Sequence, residues 1–390
     1  MSRLAINIFI ILFIGGFIVL NVFVTPKDIL FGVRIPSEKQ LIPEVKKIRK
    51  RFIIGMVGIT IIMLILAYVQ FRLYPRWSLM FSINSPLIIL LVFLFIYFLS
   101  WKRAKELKEN NNWKTSGKAY YHSPVSEWQA KMSKLAVLVN TPPLVIIIAL
   151  SILTLKLYHQ LPASIPVHFG PNAVPDGWVD KTYWSVFMIP MIIFFCWLVF
   201  VFSSYLIVKQ KITIDKKDPI LSFAQQLVYK QQMLISLGIA NTIATILIMP
   251  FHLIVLDLIS PSSFGVYYDK AFFGILFIAI LPMLVVYFRS GERGQKLKLS
   301  PDTLNYVKHH IQTSLDTEEV GMELDDDHFW KMGFFYYNPA DPSSIIENRF
   351  GVGIGFNFAR GWVKIATVIG LVSFIILYVL LTVTFLNRLY

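Results

Sequence analysis

Eight apolar runs, each about as long as a bilayer is thick, dominate this chain of 390 residues. A helix needs roughly 20 apolar residues to cross about 30 Å of hydrocarbon. Runs that qualify lie at about 4–24, 52–71, 81–101, 135–155, 183–208, 232–258, 271–288 and 364–387. Charged residues make up only 15% of the chain, whereas soluble domains run near a quarter. The missing charge is what a lipid-facing surface requires. The predicted fold class is therefore an all-α polytopic membrane protein of about eight transmembrane helices, with a small α+β cytoplasmic insertion before the last helix. Pro86, Pro142 and Pro143 read as positions in or near first turns, and Pro250 as a kink. The run at 271–288 is the shortest and contains Pro282.

The formal charge of +14 would suit nucleic acid, but its distribution points elsewhere. The gaps 25–51, 102–134, 209–230 and 289–364 hold 8, 8, 5 and 9 basic residues, together 30 of the 37. The alternate side holds 7: Arg3, Arg72, Arg76, Lys156, Lys181, Lys270 and Arg388. Strict alternation of this kind is the positive-inside pattern. It places both termini outside a bacterial cytoplasmic membrane and makes lipid, not nucleic acid, the expected partner. The stretch Leu4–Val24 is too long for a signal-peptide core and lacks a small-x-small cleavage site, so a retained helix is expected. Cys196, the one cysteine, reads as a small buried hydrophobe and excludes a Cys-based metal motif.

Four parts follow: 1–134, three helices with two basic cytoplasmic segments; 135–288, a central membrane domain; 289–363, a small cytoplasmic domain; and 364–390, the final helix. In the first, Lys46-Lys47-Ile48-Arg49-Lys50-Arg51 abuts the second span, where it anchors topology and is placed to meet anionic lipid. Trp113, Tyr120, Tyr121 and Trp128 are expected at the headgroups. In the third part, Ser300-Pro301 is an N-cap with proline at the first helical position, for a helix over 301–314. The acidic residues Glu318, Glu319, Glu323, Asp325, Asp326 and Asp327 follow, and with His309 and His310 they read as a solvated face. Phe334 to Tyr337 and Phe350 to Phe358, around a turn at Asn338-Pro339-Ala340-Asp341-Pro342, predict a β-hairpin or short sheet. Gly351, Gly353 and Gly355 lack dinucleotide-fingerprint spacing.

The central part carries the most specific segment. Residues 159–181 form an outer loop stiffened by four prolines and Pro-Asp-Gly-Trp. Leu161-Pro162, Ile165-Pro166-Val167-His168-Phe169, Pro175-Asp176-Gly177-Trp178 and Lys181 resemble a bacterial membrane family, domain of unknown function 1648, over roughly 140–195. Ala173 stands where members more often carry Gly. The same domain occurs in Sdp-type immunity proteins, which protect cells from a secreted toxic peptide and relay its presence to a repressor. Phe31-Gly32-Val33-Arg34-Ile35-Pro36 is similar to their Gly-x-Arg-x-Pro, with Ser37 where they carry Trp-Thr. Trp330 to Pro342 and Gly355 to Arg360 resemble a second domain, of unknown function 5808.

Ionisable groups within the spans are scarce, which speaks against a coupled transporter. Asn21, Asn84, Asn140 and Asn241 read as interhelical hydrogen-bond partners. Protease, esterase and phosphate-loop motifs are absent, so no enzyme and no cofactor is expected. His159, His168, Asp176, Asp180, His252 and Asp257 are all expected at the outer surface. Of these, His168, Asp176, His252 and Asp257, with Trp178, are the ligand-binding candidates, and no metal is assigned. Arg34, Pro36, Asn338 and Asp341 are structural or partner-contact candidates. The expected role is peptide-toxin immunity or envelope sensing, with a peptide outside and a regulatory protein inside. A transporter or permease component is the alternative.

Overall fold

The computed structural model describes every residue except 1–2, 26–27, 114–118, 121–125, 170–174, 211, 215–217, 292–293, 316–326, 350–353 and 388–390. Nine helices are described. They are α1 (Arg3–Val24), α2 (Pro43–Leu73), α3 (Ser78–Asn110), α4 (Ser126–Leu157) and α5 (Tyr183–Lys209). Then come α6 (Pro219–Val255), α7 (Pro261–Ser290), α8 (Pro301–Leu315) and α9 (Gly361–Asn387). Short strands lie between them: β1 (Ile29–Leu30), β2 (Val33–Arg34), β3 (Ala119–Tyr120), β4 (Ser164–Phe169) and β5 (Pro175–Asp180). The remainder are β6 (Thr213–Ile214), β7 (Trp330–Lys331), β8 (Phe335–Tyr336), β9 (Ile345–Glu347) and β10 (Ile354–Phe356).

Seven of the helices are long and apolar enough to cross a membrane. The eighth apolar helix is α7, whose stretch Gly274–Ser290 is apolar but shorter. The chain is thus an all-α polytopic membrane protein with small strand pairs near its C-terminus. Its helices run past the apolar runs at their polar ends. The helix α2, for example, starts at Pro43 at its first position and carries the whole basic run before turning apolar.

The chain divides into two compact units. One comprises 122–209 and 220–318, with α4 to α8. Its helices are held by a buried polar chain: Asn241 Nδ2 donates to Asn140 Oδ1 (3.0 Å) and Asn140 Nδ2 to Ser204 Oγ (3.0 Å). The Trp197 indole N–H donates to the Asn140 carbonyl (2.8 Å). At the predicted start of α8, Ser300 Oγ accepts the Thr303 N–H (3.3 Å), the N-cap geometry. Cys196 is exposed on the apolar surface of α5, not buried as expected, because that helix is apolar all round and has no stripe to mark its inner face.

The other unit comprises 2–121, 210–219 and 319–390. Here α1, α2 and α3 pack together around Phe52, Met56, Ile89 and Tyr97. Ser82 donates to Asn7 between α3 and α1, and the Tyr378 hydroxyl of α9 donates to Asn84 Oδ1 of α3 (2.9 Å). Asn21 donates to the Phe17 carbonyl of its own helix (2.8 Å). Within this unit β8 pairs with β7 and β10 with β9, and a single bridge joins Tyr336 to Asn357. The β-hairpin or short sheet expected from 334–337 and 350–358 is, among the described residues, two hairpins linked where Tyr336 and Asn338 meet Asn357 and Phe358. Strands of two or three residues leave room for only two or three ladder pairs each, so the partner of β8 is its nearest neighbour in sequence. Segment 289–363 is shared between the units: α8 belongs with α4 to α7, and the strand pairs with α1 to α3 and α9.

Candidate functional site

The outer segment of the first unit is a β-hairpin seated on helix ends. β4 and β5 pair antiparallel from Ser164 with Asp180 to Phe169 with Pro175, with register irregularities on both sides of His168. Such irregularities re-aim a side chain, and here the side chain is His168. Its Nδ1 is hydrogen-bonded to Asp176 Oδ1, forming an ion pair when the ring is protonated. Both side chains are more than half exposed, at 62% and 51%. Trp178, two residues from Asp176 along β5, is also exposed. Across the ladder stands Gly177, where a Cβ would lie 2.8 Å from His168 Cβ. Only glycine allows the strands this close.

The opposite face of the hairpin is anchored. Ile165 is fully buried with Leu161 against Ile147, Leu150, Val186, Ile189 and Val255 from α4, α5 and α6. At the base, Lys181 Nζ donates to the Leu161 carbonyl (2.6 Å), its backbone N–H bonds Ala163 O (2.8 Å), and its ammonium lies 5.4 Å over the Tyr158 ring. Thr182 and Ser185 cap α5 reciprocally, each backbone N–H meeting the other's hydroxyl. Among the described residues, the motif residues other than Pro162 thus shape the hairpin, fasten it, or are displayed on it; Pro171 and Ala173 lie outside the described residues.

His252 and Asp257 are placed differently from each other. His252 is fully buried in α6, its Nε2 2.7 Å from Thr154 Oγ1 of α4, so it is packed between helices and not displayed. Asp257 is exposed just past the end of α6, with φ 56°. Among the described residues, no hydrogen bond or ion pair joins either of them to the His168–Asp176 pair, and no group of three His, Cys, Asp or Glu that could hold a metal occurs. His159 and Asp180 are exposed.

A second polar centre lies in the other unit. The β1–β2 hairpin turns through Phe31 and Gly32, with φ 47° and 79°, the two left-handed residues that a tight hairpin turn uses. Arg34 Nη1 donates to Asp28 Oδ2 (2.6 Å), and the Arg34 backbone N–H to Asp327 Oδ1 (3.2 Å). Asp327 also accepts from Lys108 Nζ (2.7 Å) and from Arg349, whose Nη1 reaches the Gly32 carbonyl as well (3.0 Å). Burial would raise the Asp327 carboxyl, but the charges of Arg349 and Lys108 and their hydrogen bonds hold it below the usual carboxylate range. Arg34 and Asp327 were visible in the sequence, but their joining was not. Lys108 and Arg349 carried no sequence signal at all, since charged side chains lack periodicity.

Pro36 is half-buried, and its carbonyl accepts the Lys39 N–H at the start of a short 3-10 turn (3.0 Å). Asn338 is buried at 1% exposure and exchanges hydrogen bonds with Asn357: Asn338 N–H to Asn357 Oδ1 (3.1 Å) and Asn357 Nδ2 to Asn338 O (2.9 Å). Asp341 Oδ1 accepts the Ser343 N–H (2.9 Å), and its Oδ2 accepts the Tyr336 hydroxyl (3.2 Å). The acidic residues at 318–326 and Phe350 to Gly353 lie outside the described residues.

A family model described as a domain of unknown function (DUF1648) matches residues 145–194, which run from within α4 through the hairpin into α5. No match was found among curated proteins or among solved structures. The resemblance stated for the hairpin is thereby supported; those stated for residues 31–36 and 330–360 have no such support.

Proposed function

We propose that this multi-pass protein acts as an immunity or sensing component of a bacterial cytoplasmic membrane. The hairpin would meet a peptide or envelope ligand outside, and the segments around Arg34 and Asn338 would contact a regulatory protein inside. One observation carries the reading: an imidazole, a carboxylate and an indole are displayed on a stiff hairpin whose other face is locked to helix ends. Preorganised polar and aromatic groups on a rigid element are what recognition needs. Orientation rests on the alternation of basic residues, which puts both termini and the hairpin outside. No reaction is assigned, and the polar groups are read as recognition and packing groups.

The test is a protection assay in cells. His168→Ala and Trp178→Ala should leave insertion intact, since both side chains are exposed, yet abolish protection or signalling toward the inducing peptide. Full activity in inserted variants would reduce the hairpin to a connector. The transporter reading keeps one supporting observation, the buried set Asn140, Ser204, Asn241, Thr154 and His252 within one unit. Substrate flux in vesicles that is lost in Asn241→Ala would favour it.

A further inference from the structure

In the unit built on α1 to α3 lies a cavity of about 850 Å³ between the β1–β2 turn, the polar end of α3 and the β7–β8 hairpin. Three lysines line it, Lys105, Lys108 and Lys331, against two carboxylates, Asp327 and Glu109. Asp327 is further held by Arg349. Glu109 is spread toward solvent, with its oxygen 3.7 Å from Lys105 and both side chains more than half exposed. Lys331 Nζ donates to the His328 carbonyl (3.2 Å). The local balance is positive. Trp101, Trp113 and Trp330 complete the wall, and the Arg349 guanidinium lies 5.0 Å from the Trp330 ring.

Height along α3 indicates what this cavity meets. No charged residue occurs between Arg76 and Lys102, so the apolar run ends at Trp101. At 1.5 Å per residue, Lys105 and Lys108 sit about 6 and 10 Å beyond it. The headgroup layer accounts for roughly 5–8 Å on each side of the hydrocarbon, so the Lys105 backbone lies within it and the Lys108 backbone just past its outer edge, within reach of a long lysine side chain. Trp101, Lys105 and Lys108 fall on one helix face at i, i+4 and i+7. An indole at the hydrocarbon boundary with ammonium groups one and two turns above it matches an amphiphile: apolar below, anionic above.

We propose that this cavity is a binding site for a phosphate group attached to an apolar body, supplied by the head group of an anionic phospholipid. Lys105, Lys108 and Lys331 bind the phosphate, and Trp101, at the hydrocarbon boundary, covers the glycerol region. The site is independent of the peptide-sensing reading and of the basic run at 46–51.

The full-length protein, purified in detergent, would be exchanged into nanodiscs of equal parts phosphatidylglycerol and phosphatidylcholine. Lipid retained after release is then counted by native mass spectrometry. The wild type should keep one phosphatidylglycerol in preference to phosphatidylcholine. Near an anionic surface each lysine changes binding about fivefold, so Lys105→Gln with Lys331→Gln should lower that preference about 25-fold. Lys102→Gln with Arg103→Gln removes the same charge from exposed positions at nearly the same height but outside the cavity, and should change it less than twofold. Equal loss in both double variants, or equal retention of the two lipids by the wild type, overturns the site. Displacement by glycerol 3-phosphate at the concentration effective for the lipid overturns the lipid as the source.

Discussion

His168 owes its position to the residue across from it. With a Cβ at Gly177 only 2.8 Å from His168 Cβ, the strands would have to part. Overpacking of this kind typically costs about 1–3 kcal/mol. Gly177→Val should therefore loosen the hairpin and break the His168–Asp176 pair without touching either residue. Amide exchange across 164–180 should rise, and unchanged protection would show that the register tolerates the side chain. Asp327 offers a second test at this scale. Its carboxyl titrates below the ordinary aspartate value, so its contribution is fully present above about pH 4 and is lost as pH falls through its own lowered value. Asp327→Asn should leave Lys108 and Arg349 without their shared counter-charge. Stability near neutral pH should fall by about 1–3 kcal/mol, and the part of the acid sensitivity below about pH 4 due to this group should disappear. A variant with an unaltered acid limb would assign that sensitivity elsewhere.

Elements as short as β7 to β10 cannot be held by ladders of two or three pairs. Side chains knot them instead. The Asn357 side chain bonds both the N–H and the carbonyl of Asn338, the Asn338 side chain bonds the Tyr336 hydroxyl and the Ala340 amide, and Asp341 ties the Tyr336 hydroxyl to the Ser343 amide. Asn338→Ala with Asp341→Ala removes the hydrogen bonds these two side chains make with the Tyr336 hydroxyl and with the Ala340 and Ser343 amides, each worth about 0.5–1.5 kcal/mol. Exchange should become fast across 330–349 while α2 and α3 stay protected. Slow exchange in the double variant would show that aromatic packing of Trp330, Tyr336 and Ile346 suffices alone. Local signals of this kind were readable in sequence. Ser300-Pro301 marked the start of α8, and Asn338 to Pro342 marked a turn, because caps and turns are decided by neighbouring residues. The pairing of β8 was not readable, since Phe334 to Tyr337 and Phe350 to Phe358 are equally apolar and nothing in either specifies a partner.

At the scale of the molecule, span count and charge alternation check each other. An even number of crossings puts both ends on one side, and 30 of 37 basic residues then fall in alternate gaps. Reporters fused after Trp178 and after Lys331 should report opposite sides of the membrane; agreement between them would break the eight-crossing count. Apolar length made the helices legible because it depends on composition alone. What a helix turns toward its neighbours was less so. His252 lay in an apolar run, and its burial against Thr154 is a contact 98 residues away that one run cannot reveal.

The bonds that close the polar centre of the second unit span the chain: 293 residues separate Arg34 from Asp327, and 317 separate Gly32 from Arg349. At about 5–20 residues per second of synthesis, that separation is roughly 15–60 s. Once residue 110 has been made, α1 to α3 exist for the rest of this interval while the carboxylate that joins Arg34 and Lys108 does not. The nascent loop after α1 must wait open, its cations facing the head groups, and the latch shuts only when the far end of the polypeptide leaves the ribosome. Chains arrested before residue 327 should be cut by protease at 28–36, and release of the full chain should remove that cleavage.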